Sequence, residues 1–93
     1  MNQATPPRVL AAIRTAISSL SAGLSPADVR ENWSEEARQS FLASIRKLGE
    51  RAARGEDVRD RCRSIARHLD YWRIDSGPLY ESVVAVQRAS RGE

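Results

Sequence analysis

The sequence predicts an all-α protein: a compact bundle of four to five short helices, mostly antiparallel neighbours. Three observations predict it. Apolar residues recur three and four positions apart along every long segment. Proline and glycine punctuate the chain in the helical order, proline near starts and glycine just past ends. No alternating run of β-branched residues competes as a strand, and no internal repeat or low-complexity stretch interrupts the pattern. The connections are short, as between antiparallel helices of a bundle. Helices are expected at about 6–22, 26–32, 34–54, 57–75 and 78–90, in one domain spanning residues 1–93.

The first helix is expected to open with Thr5 as cap and Pro6 in its first turn, where a missing N–H costs nothing. Val9, Ile13, Ala16, Ile17 and Leu20 form its apolar stripe, and Gly23 stops it. In "LSPADVRENW", Ser25 caps, Pro26 follows, and Asp28 stands three residues after the cap. Phe41, Ile45, Leu48 and Ala52 then share a face from which Val29 and Trp33 drift at 100° per residue. A break at Ser34 brings both back to the core, so a short helix followed by a longer one is expected, ended by Gly55.

Segment 57–75 holds the one Cys, the one His, Tyr71, Trp72 and a dense run of Arg. Val58, Cys62, Ile65, Leu69 and Trp72 step by four, three, four and three, a narrow seam that makes the segment architecture first. Pro78 opens the last helix, with Leu79, Val83 and Val86 as its stripe and Tyr80 and Val84 beside it. "RASRGE" reads as a fraying tail.

Composition narrows the function. A chain of 93 residues with 41% apolar content, much of it Ala, has little room for both a core and a deep substrate pocket. One cysteine cannot close a disulfide within the chain, so the cytoplasm is the expected location. No apolar run approaches a membrane span, and the N-terminus does not resemble a signal peptide. Cys62 and His68 cannot between them supply a zinc ligand set, so neither metal nor cofactor is expected. Fifteen basic residues face twelve acidic ones, and all the basic ones but Lys47 are Arg, a skew that a GC-rich coding genome produces by itself. The acids are interleaved with the bases, leaving no long block of one sign.

Three chemistries can be weighed. Cys62 and His68, six residues apart, point about 120° apart on a helix, so the thiol lacks an activating base. Ser64 and His68 lie one turn apart on one face, the only arrangement a small hydrolase could use. A carboxylate placed against the far nitrogen of His68 and an oxyanion hole are missing. "SAGLSPADVRENW" has the cadence of a degenerate helix-turn-helix at residues 15–33, the basis of an alternative reading as a DNA-binding regulator. Ser18 and Asn32 occupy places that are usually apolar there. Asp28, Glu31, Glu35 and Glu36 would repel phosphates.

The reading favoured is a non-catalytic protein-interaction module: a regulator, adaptor or inhibitor-type subunit whose partner is another protein. Its anchors are Tyr71, Ile74, Tyr80 and Val84, flanked by Arg63, Arg67 and Arg73, a composition suited to an acidic partner surface. Arg59, Arg63 and Arg67 form a row of like charges one turn apart, which Asp57, through Arg61, and Asp70 would partly offset. A second copy of the chain is the other partner to consider, provided the wide face of the last helix is unfilled within one chain.

Overall fold

The computed structural model describes residues 4–92, the side chain of Ala66 excepted, and contains helix and no strand among them. Six helical segments follow in order: α1 (Pro7–Ser21), α2 (Pro26–Arg30), α3 (Glu35–Ala53), α4 (Arg59–Ser64), α5 (Ala66–Trp72) and α6 (Pro78–Ser90). They pack as an all-α bundle of 44 × 21 × 17 Å. The stripe of α1 lies between α3 and α6, and α6 is in turn covered by α4 and α5. Phe41, Ile13, Leu20, Ile45, Val9, Val58, Val83 and Val86 form the fully buried centre.

Three helix ends are closed by side chains from other parts of the chain. Ser25 caps α2 in a reciprocal box: its hydroxyl accepts from the Asp28 amide, and the Asp28 carboxylate accepts from the Ser25 amide at 3.0 Å and hydroxyl at 2.7 Å. The other oxygen of Asp28 accepts from the Leu79 amide at 3.1 Å, so one buried carboxylate closes the N-termini of both α2 and α6. Gly77 is required beside it. Its φ is +108°, and a Cβ there would sit 3.4 Å from the carboxylate. Arg38 of α3 donates to the Leu20 carbonyl at the end of α1, and Arg8 of α1 donates to the Ala89 carbonyl at the end of α6.

Several sequence expectations are corrected here. Thr5 does not cap α1; Pro6 takes that position, and Pro7 is the first helical residue. The buried Thr5 hydroxyl instead donates to the Glu56 carbonyl at 2.7 Å and accepts from the Val58 amide at 3.3 Å, stapling the α3–α4 loop. The break at Ser34 is present and returns Trp33 to the core, but Val29 is 58% exposed. In a helix of five residues only one side can face inward, and Asp28 occupies it.

The helix expected over 57–75 is two segments meeting at Ile65. There the dihedrals stay right-handed, but the Ile65 amide bonds three residues back to Cys62, and the His68 amide three back to Ile65. Val58, Cys62, Ile65 and Leu69 are buried as the seam requires, whereas Trp72 is only half-buried. Arg73 then turns left-handed at φ 57°, and the Ile74 amide bonds back to the Leu69 carbonyl at 2.9 Å. That six-to-one bond carries an apolar residue back onto the helix it ends, so Ile74 joins the core. Val84 is buried as well, because α6 is covered on two sides and needs valine on both. The last turn is also ordered into the fold: Ala89 and Ser90 are buried helical residues rather than part of a fraying tail, of which Glu93 lies outside the described residues.

Candidate functional site

A cleft of about 670 Å³ runs between α6 and the α4–α5 pair. The short loop from Arg73 to Gly77 makes the two walls antiparallel, and the Gln87 side-chain amide, 3.4 Å from the Arg63 carbonyl, sets their register. From α6 come Tyr80, Val84, Gln87 and Arg88, with Arg91 just beyond; their spacing of four, three, one and three keeps them on one face. The opposite wall presents Asp60, Arg63, Ser64, Arg67 and Asp70, over a floor of Leu69 and Ile74.

Five of the seven residues expected at the contact surface line this cleft: Arg63, Arg67, Ile74, Tyr80 and Val84. Ile74 and Val84 do so as buried floor rather than protruding anchors. Tyr71 and Arg73 lie outside it. Tyr71 is 80% exposed, its ring edge-on to Trp72 at 5.3 Å.

The arginine row divides by its acidic neighbours. Arg59 holds Asp57 at 2.7 Å, where the sequence suggested Arg61, and Arg63 holds Asp60 at 3.0 Å. Arg67 has no ion pair among the described residues, and neither do Arg88 and Arg91 across the cleft. Reading 88–93 as a tail hid these two; their place four and seven residues after Val84, on the side of the helix next to its stripe, is the signal that could have found them. Tyr80, half-buried at the other end of the cleft, makes no side-chain hydrogen bond among the described residues. Asp70 and Asp75 give that end the opposite charge.

No hydrogen bond joins Ser64 to His68 among the described residues. The Ser64 hydroxyl donates to the Arg61 carbonyl at 2.9 Å, and the His68 ring lies edge-on to Phe41 at 6.2 Å. Cys62 is fully buried, and burial pushes its thiol up to about 11, away from the reactive thiolate. The helix-turn-helix cadence does not place a groove-reading helix either. α2 spans five residues, and Asp28, Glu31 and Asn32 hold the 73–79 segment through the Leu79 amide, the Ser76 hydroxyl and the Arg73 carbonyl. No helix among the described residues is long and apolar enough to cross a membrane. Comparison of the chain with protein-family models, curated proteins and solved structures found no match.

Proposed function

We propose that this protein is a non-catalytic interaction module, a small regulator, adaptor or inhibitor-type subunit, that holds an acidic segment of a partner protein in the cleft between α6 and α4–α5. One observation supports this reading above the others: Arg67, Arg88 and Arg91, none with an ion-pair partner among the described residues, converge on one concavity with Tyr80. Guanidinium forks matched to carboxylates, in one cleft with an aromatic ring whose hydroxyl makes no hydrogen bond among the described residues, are the composition of a protein hot spot. Three aspartates in the same cleft count against a polyphosphate or duplex backbone, which would meet them at close range. A reducing cytoplasm suits a chain whose single cysteine is buried and unpaired.

The test is a nuclear magnetic resonance titration of isotope-labelled protein with a glutamate-rich peptide and, separately, with duplex DNA. Saturable shifts at the amides around Arg67, Tyr80, Arg88 and Arg91, absent in the Arg67→Ala/Arg88→Ala/Arg91→Ala variant, are expected with the peptide. Shifts scattered over the surface, or tight salt-sensitive binding of DNA alone, would refute the proposal.

A further inference from the structure

We infer that the segment held in the cleft is an amphipathic helix, seated with its acidic end over Arg67, Arg88 and Arg91 and a basic residue over Asp70 and Asp75. This rests on the function proposed above and adds the conformation and direction of the bound segment. Three observations lead to it. Both walls are helical, so the cleft offers no strand edge on which an extended peptide could add a ladder of hydrogen bonds. The occupant must satisfy its own backbone, as a helix does. The lining face of α6, from Tyr80 to Arg91, rises about 16 Å, the length of three turns. The charge is graded along that length: Asp70 and Asp75 lie near the start of α6, Arg67 midway, and Arg88 and Arg91 toward its end, where Arg63 holds Asp60; Arg67, Arg88 and Arg91 have no ion pair among the described residues. A uniform acidic strand would match only one half; a helix with glutamates at one end and lysine at the other matches both.

The probe is a synthetic 14-residue peptide with leucines at helical spacing, glutamates in its N-terminal half and lysines in its C-terminal half, labelled for fluorescence anisotropy. A second peptide carries proline at a central, outward-facing position. Proline blocks the helix without touching a contact residue, so its peptide should bind about a hundredfold more weakly. A spin label at the glutamate end should broaden the resonances of Arg88 and Arg91 and spare those of Asp75 and Tyr80. Equal binding of the proline peptide overturns the helix, and broadening at Asp75 and Tyr80 overturns the direction; either leaves recognition of an acidic segment standing. Loss of that recognition too would show as the glutamate-rich peptide also failing to bind.

Discussion

At the scale of single residues, polar groups that face inward do more than the sequence pattern assigns to them. Asp28 is the clearest. Burial opposes its charge, yet hydrogen bonds from the Ser25 hydroxyl, the Leu79 amide and the Ser25 amide outweigh that cost and hold its pKa below the ordinary 3.8. A carboxyl whose folded pKa is depressed stabilises the fold above its unfolded pKa and loses that contribution as pH falls through the folded value. Asp28→Ala should therefore cost about 3 kcal/mol in urea denaturation at pH 7, since two helix starts lose their acceptor. The deficit relative to wild type should shrink below pH 4. A deficit unchanged down to pH 2.5 would show that the side chain acts by packing and not by charge. Arg73 tests backbone strain instead. It holds φ 57°, a region that glycine enters without cost. Arg73→Gly should raise stability by about 1 kcal/mol, read as a higher urea midpoint at unchanged slope. An unchanged or lowered midpoint would mean that the guanidinium or its Cβ stabilises the turn.

At the scale of elements, glycine has opposite meanings in a stop and in a helix. Gly49 lies inside α3, facing a shallow groove lined by Leu10, Ile13, Ile17 and Ala53. A Cβ there would meet Ile13 at 3.5 Å and Ile17 at 3.7 Å, ordinary contact distances. Gly49→Ala should stabilise the protein by about 0.5–1 kcal/mol, by restricting the unfolded chain and adding two apolar contacts. Gly55→Ala, at φ +89°, should destabilise it. Thermal melts of the two variants beside wild type should bracket the native midpoint; movement in the same direction would contradict this account. The same distinction shows what was legible beforehand. Stripes and stops located α1, α3 and α6 because such positions are local: Val9, Ile13, Ala16 and Leu20 are buried as their spacing requires, and Gly23 and Gly55 take positive φ where the helices end. The break at Ile65 was not legible, since it changes hydrogen bonds from four residues back to three without any proline or glycine to mark it. Ile74 was misplaced because a continuous helix wheel carries it outward, whereas the left-handed turn at Arg73 brings it in. Arg63 and Arg67 could be found from their row. The spacing of Arg88 and Arg91 puts them on the face of Val84, but that this face meets α4 and α5 depends on tertiary pairing, which no periodicity within one helix encodes.

At the scale of the whole molecule, the one thiol lies where global and local opening can be told apart. Cys62 belongs to α4, its side chain fully buried in the cluster with Val58 and Ile65. Burial, with the charge of Asp57 as a lesser cause, raises its pKa from 9.0 to about 11. A group whose folded pKa lies above its unfolded value stabilises the fold fully below the unfolded value, and that contribution drains away as pH rises through the folded one. On the acid side the dependence runs the other way. Glu35, held down to about 2 by Arg38 and Gln39, and Asp57, held down by Arg59, lose their contribution as pH falls. Stability should thus be greatest on a plateau from about pH 5 to 9 and fall on both flanks. The alkaline flank should flatten in Cys62→Ala even though that variant is weaker at neutral pH, where the smaller side chain leaves a void. Labelling rates give the decisive comparison. If α4 opens only with the rest of the bundle, Cys62 should react with a thiol reagent about a thousandfold or more slower than an exposed cysteine. The free energy drawn from that ratio should equal the one from urea denaturation. A markedly smaller value would mean that the α4–α5 pair lifts from α6 while α1 and α3 stay folded. The cleft would then be a joint that opens by itself, and the binding geometry inferred from its closed walls would have to be abandoned.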